Sequence, residues 1–182
     1  MLFRSKDKMA KNRGGTLGFW IFRDYVLKLD YQNSKMTVYD PKYFDKNREE
    51  LVNGFKLADA RADGHTFRLA TKVNGIPVGG LKLDTGSLAV FLSYKASKLK
   101  GIDDLRKKTI RKQGLGFGGD YIETDFVEAE LEFSGIKKKI EVGLPSKPMA
   151  FTRGSGGDMG YPALKGLSFI LDYPGKKLYL KG

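Results

Sequence analysis

The sequence predicts a mostly β fold with one or two short helices, and three observations carry that expectation. Apolar or alternating runs rich in Val, Ile, Leu, Phe and Tyr occupy residues 25–31, 35–39, 67–73, 77–83, 88–92, 126–133, 138–142 and 167–173, with the length and period of strands. Turn pairs stand between such runs at Asn74-Gly75, Ser134-Gly135 and Pro174-Gly175, where glycine accepts the positive φ of a tight hairpin. Helical patterns are few: residues 94–100, 102–111, and two short turns at 20–23 and 163–165.

Composition narrows the classes of function. The 182 residues are 41% hydrophobic and 30% charged, enough apolar content for one globular domain with an appendage. No apolar run approaches the roughly 20 residues of a membrane-spanning helix, and the basic start at residues 1–13 is not followed by a signal-peptide core. The expectation is a soluble chain whose compartment stays open, periplasmic or secreted included. Without cysteine there is no disulfide, thiolate metal site or Cys nucleophile. The net charge of +12 raises nucleic acid as a partner. However, the densest cluster, Lys95, Lys98, Lys100, Arg106, Lys107, Lys108, Arg111 and Lys112, has only Tyr94 at its margin to stack on a base. A solvated basic face is the better reading, and it argues against nucleic acid.

The chain repeats itself. A shift of 142 residues lays Gly18 on Gly160 and carries 18–31 onto 160–173 without a gap. Leu29, Asp30, Tyr31 and Lys35 then meet the identical Leu171, Asp172, Tyr173 and Lys177, and Phe19, Arg23, Met36 and Val38 meet the similar Tyr161, Lys165, Leu178 and Leu180. The chain thus opens on the tail of one repeat and closes on the same tail of the next. The first copy reads as incomplete. Left unpaired, residues 17–39 would expose an apolar strand edge, an association hazard. That tail is expected to pair with its counterpart in the same chain or with a second copy.

One motif carries chemistry. An apolar strand delivers Asp84-Thr85-Gly86-Ser87 to a tight turn, followed by the apolar residues 88–92. Gly86 lets backbone N–H groups approach the Asp84 carboxylate, and Thr85 offers a hydroxyl to a partner loop. Two such loops face to face would hold two carboxylates around one water, sharing a proton, one acting as base and the other as acid. The tripeptide alone is weak, since Asp-Thr-Gly also makes ordinary turns.

Its setting is more specific. The order of an Asn-Gly hairpin, a strand into Asp84-Thr85-Gly86-Ser87, the glycine-rich Gly116-Phe117-Gly118-Gly119, paired strands, and Met159-Gly160 before a short helix and last strand resembles the retropepsin-like and pepsin-like aspartic proteases across residues 66–182. The bacterial-type two-lobe members are the most similar in plan, with this chain matching the C-terminal lobe plus the tail of the first. The resemblance implies a retropepsin-like closed β-barrel lobe. It divides the chain into 1–40, the tail of a preceding lobe; 41–64, a charged connector; and 65–182, a complete lobe. It also implies an aspartic endopeptidase with Asp84 catalytic and Thr85, Gly86 and Ser87 forming the active-site loop. Leu115, Gly116, Phe117, Gly118, Gly119 and Tyr121 would form a flap over bound peptide. Gly18, Met159 and Gly160 would support the Asp loops from below. The pattern departs from the family at Asp158, where an apolar residue is usual, and at Pro162.

The implied partners are a peptide or protein substrate and a second lobe or homodimer partner, with no cofactor and no metal. No other Asp lies in Asp-Thr-Gly or Asp-Ser-Gly, so the second carboxylate must come from elsewhere, or the chain is a non-catalytic peptide- or protein-binding module. His65 is the sole histidine, which excludes a zinc site built on several histidines, and beside Gly64 at a strand entrance it reads as a surface or packing residue. Asp103-Asp104 and the group Asp120, Glu123 and Asp125 lack metal-loop spacing. Gly154-Ser155-Gly156-Gly157 lacks the Lys-Ser/Thr of a phosphate loop and reads as a flexible connection.

Overall fold

The computed structural model describes residues 18–115, 121–148 and 156–182. The fold is mostly β. Helix α1 (Phe19–Phe22) leads into strands β1 (Val26–Asp30) and β2 (Lys35–Tyr39), followed by α2 (Pro41–Lys46), α3 (Arg48–Leu51), β3 (Lys56–Leu57) and β4 (Ala60–Asp63). Then come β5 (Thr66–Val73), β6 (Ile76–Leu83), β7 (Val90–Leu92), α4 (Tyr94–Ser97), a 3-10 helix (Asp103–Lys108), β8 (Ile110–Leu115), β9 (Tyr121–Phe133) and β10 (Ile136–Leu144). Strand β11 (Gly157–Met159), α5 (Tyr161–Leu164), β12 (Ser168–Asp172) and β13 (Lys177–Lys181) complete the chain.

Among the described residues these strands make two sheets, ordered β2-β1-β12-β13-β3 and β4-β5-β6-β11-β7-β10-β9-β8. In the larger sheet β9 also pairs with β5, Thr71 opposite Phe133 and Val73 opposite Leu131, so the ladders from β5 to β9 run in a circuit around Leu69, Leu81, Val90, Leu131 and Val142. Strands β4 and β8 lie outside that circuit, and the five-stranded sheet is a separate ladder packed against it. The expected closed barrel is therefore corrected to a mostly β body of two sheets. Alternation explains the packing: along β5, Phe67, Leu69 and Val73 point inward while Arg68 and Lys72 point out, as period two requires.

The repeat is visible in three dimensions. Shifting by 142 residues lays α1 on α5, β1 on β12 and β2 on β13 with no change of boundary. Even the left-handed turn residue recurs, Ser34 at φ 51° and Lys176 at φ 53°. Strands β1 and β12 pair antiparallel, Val26 opposite Asp172 and Asp30 opposite Ser168, with Lys28 opposite Ile170 at the centre. Each central residue is the repeat counterpart of the other, so a local twofold axis passes between them.

Several expected elements shift. Asn74-Gly75 and Ser134-Gly135 make the turns foreseen, with φ of 48° and 78°, and 47° and 79°. At Pro174-Gly175 the positive φ falls on Lys176 instead. Gly175 is needed there for space, since a Cβ would lie 2.8 Å from Asp172 Oδ1. The helix foreseen at 102–111 is a 3-10 turn ending at Lys108, and β8 begins at Ile110. Nor is the basic cluster all solvated: Arg106 donates to Ser97 Oγ and to the carbonyls of Leu144 and Pro145, stitching the 3-10 helix to the end of β10.

The connector is not a plain linker. Asp40 caps α2 by accepting from Lys42 and Tyr43 N–H at 2.9 and 3.2 Å, with Pro41 in the first turn where its missing N–H costs nothing. This seats Phe44, fully buried, against Val26, Ile170 and Tyr179. Arg48 donates to Tyr179 Oη at 2.8 Å and pairs with buried Asp172 at 3.3 Å. At the far end of the segment, β4 joins the larger sheet through β5. Phe44→Ala should accordingly destabilise the chain by about 3–5 kcal/mol in chemical denaturation; a loss below about 1 kcal/mol would show that the connector is not core.

Candidate functional site

Asp84 follows β6 in the turn toward β7, and β11 runs between these two strands, parallel to β6 and antiparallel to β7. The insertion demands glycine. At Gly157 a Cβ would lie 2.8 Å from Leu92 Cα, and at Gly156 it would lie 2.6 Å from the Val78 carbonyl. Residues 156–157 are thus tightly packed, which corrects the reading of a flexible connection for this half of the Gly154–Gly157 run.

The loop itself is braced from three directions. Asp84 N–H donates to the Met159 carbonyl at 3.0 Å, Ser87 N–H donates to the Asp84 carbonyl at 3.2 Å, and Tyr161 N–H donates to the Ser87 carbonyl at 2.8 Å. Gly86 N–H donates to the Asp84 carboxylate Oδ1 at 3.0 Å. The Ser87 hydroxyl donates to the Ala89 carbonyl at 2.9 Å. Thr85 is exposed. Beneath the loop Gly160 touches backbone: a Cβ there would lie 2.5 Å from the Ser87 carbonyl and 2.8 Å from Ser87 Cβ.

The structure brings Asp84, Gly86, Ser87, Met159 and Gly160 into one cluster. Gly18 is apart from it, with nothing within 4 Å of its would-be Cβ. Leu115 pairs with Tyr121 across the β8–β9 hairpin, which leads to and from Gly116, Phe117, Gly118 and Gly119; those four lie outside the described residues.

Three participants were not foreseen. Tyr31, from the first-copy tail, packs its ring 5.9 Å from that of Tyr161, and burial pushes its hydroxyl above the ordinary tyrosine value, with the nearby Asp84 carboxylate adding to the effect. Lys82, two residues before Asp84 on the same side of β6, places its ammonium 3.5 Å from Asp84 Oδ2 and 2.9 Å from Asp158 Oδ1. Asp158 is only 2% exposed. Burial raises its carboxyl above the usual range, and Lys82 partly offsets the rise. The departure from the family pattern at Asp158 was the available signal; its partner was hidden because Lys82 reads as one more solvent-facing residue of a strand.

The two copies of the tail meet different surroundings. Ala163 and Leu178 are 0% and 1% exposed, whereas their counterparts Ile21 and Met36 are 54% and 48% exposed. The second copy packs on the strand circuit. Among the described residues the first copy is exposed at Ile21 and Met36, while Leu27 joins the same core.

No protein-family model matches the chain, and no curated protein matches it. Among solved structures it is similar to conglutin gamma, a basic 7S globulin from lupine seeds, at 10% identity and a TM-score of 0.45 over 88% of this chain and 51% of that one. It is also similar to basic 7S globulin from soybean, at 12% identity and a TM-score of 0.42 over 86% and 50%. The chain spans about half the length of these globulins. No helix among the described residues is long and apolar enough to cross a membrane.

The unequal surroundings of Gly160 and its repeat counterpart Gly18 give a paired test. Gly160→Ala must push the Asp84 loop and should cost about 1–3 kcal/mol in thermal or chemical unfolding, while its counterpart Gly18→Ala should stay within about 0.5 kcal/mol. Equal losses at both sites would contradict the placement of Gly160.

Proposed function

We propose that this chain is one lobe of an aspartic endopeptidase of the retropepsin-like kind, in which Asp84 and a second Asp supplied by another lobe or subunit activate a water between them. The observation that carries the reading is the way Asp84 is presented. Its backbone is tied to Met159 and Ser87, its Oδ1 is fixed by Gly86 N–H, and the carboxylate remains about one-third exposed. A carboxylate held rigidly yet open to water suits general-base chemistry better than core packing. A dyad sharing one proton would let Asp84 take a proton from water while the partner carboxyl gives one to the peptide carbonyl.

The bare surface of the first copy supports a place for the second lobe. The local twofold between Lys28 and Ile170 carries the lobe that covers Ala163 and Leu178 onto a position covering Ile21 and Met36. Burying such side chains would contribute roughly 1.5–3 kcal/mol each. In this reading residues 1–40 close a preceding lobe, 65–182 form the complete one, and the β8–β9 hairpin with Gly116, Phe117, Gly118 and Gly119 folds over an extended peptide and offers it backbone hydrogen bonds.

A second reading is a non-catalytic module that grips extended peptide or protein. It is favoured by a single Asp-Thr-Gly in 182 residues. The test is peptide hydrolysis by the assembled two-lobe or dimeric form. Asp84→Asn should abolish cleavage with unfolding behaviour unchanged, and the parent's rate should be highest at acid pH because the dyad needs one carboxyl protonated. Undiminished cleavage by the mutant, or a rate climbing steadily into alkaline pH, would rule out the dyad; peptide binding without cleavage would support the second reading.

A further inference from the structure

Lys82 and Asp158 form a unit that the family resemblance does not include. They sit opposite each other in the β6–β11 ladder, and the 2.9 Å contact of Nζ with Asp158 Oδ1 gives the buried carboxylate a charged partner. A buried carboxylate carries a desolvation cost that it offsets only with close partners. The same ammonium then reaches Asp84 Oδ2 at 3.5 Å. The two oxygens of Asp84 thus face two donors, the Gly86 amide on Oδ1 and the Lys82 ammonium near Oδ2.

Arg68, across the ladder from Lys82, is bonded through Nε to Asp63 and adds a smaller favourable charge at Asp158 than Lys82 does, while Tyr31 and Tyr161 pack against each other. A lysine at this position costs nothing on an open strand face, but one tied to a buried Asp loses the freedom of its chain. That restriction is what turns a flexible cation into a fixed point.

We propose that Lys82 and Asp158 are positioning residues for Asp84: buried Asp158 anchors the Lys82 ammonium, and the ammonium with the Gly86 amide holds the Asp84 carboxylate in one orientation. The proposal rests on the reading of Asp84 as the working carboxylate. Within that reading the unit fixes which way the Asp84 carboxylate faces, with one oxygen on the Gly86 amide and the other beside the Lys82 ammonium.

The test uses the whole chain and reads the Gly86 amide by nitrogen–proton correlation NMR, with no substrate present. In the parent this amide proton should lie downfield, as a donor to a carboxylate. Lys82→Met, Lys82→Gln and Asp158→Asn should each move it upfield and speed its exchange with solvent, while Lys82→Arg, which keeps the cation, should leave it close to the parent. Where hydrolysis is measurable, Lys82→Gln should lower kcat about tenfold or more with KM changed by less than about twofold, the mark of a lost interaction with the reacting group rather than with bound substrate. A Gly86 amide unmoved in folded Lys82→Gln, or equally moved in Lys82→Arg, overturns the proposal even if the parent cleaves peptides. A Gly86 amide that moves as expected in a protein that cleaves nothing supports the positioning unit and overturns the peptidase reading alone.

Discussion

The structure depends on the antiparallel ladder between β1 and β12, centred on Lys28 and Ile170. Because these two residues are repeat counterparts, the ladder places two copies of one hairpin side by side about a twofold axis. One face of the resulting sheet packs on the strand circuit through Leu27, Phe169, Leu171, Leu178 and Leu180. The opposite face takes Phe44 from the connector. Alternation along each strand separates these two sets of side chains. Among the described residues the cover of the first face is unequal, so that Ile21 and Met36 stand exposed while Ala163 and Leu178 do not.

The site grows from the same economy of backbone. Inserting β11 between β6 and β7 saturates the hydrogen bonds of both strands where a turn would otherwise leave them open, and it brings Met159 and Gly160 against the Asp84 loop. The insertion also carries Asp158 into a buried position beside Lys82. Two like charges, Asp84 and Asp158, repel at close range; the ammonium that contacts both offsets part of that conflict and links the loop to the sheet.

The strands and tight turns were legible because period-two alternation and Asn-Gly or Ser-Gly pairs act locally. The repeat was legible because both tails kept Gly, Leu, Asp and Tyr at fixed spacing, and its shift of 142 residues proved to be a shift of structure. Other features were hidden because their causes are long-range. Strand β11 is three residues of Gly, Asp and Met with no strand pattern of its own, fixed only by its two neighbours. Phe44 lies in a charged segment whose burial is decided by the sheet it lands on. Lys82 and Asp158, 76 positions apart in sequence, become partners only through the β6–β11 register.

If the twofold axis is what places a second carboxylate opposite Asp84, then restoring the missing half of the symmetry should create the site. The repeat gives the join: residues 65–159 placed ahead of Gly18 would enter α1 in the register in which Met159 enters Gly160. Peptide hydrolysis by this two-lobed chain, compared with the single chain, is the most direct measurement. The account predicts cleavage that requires Asp84 in both lobes and is lost when either is changed to Asn. A two-lobed chain that folds as a monomer yet cleaves no peptide, or that cleaves with one Asp84 removed, would contradict it.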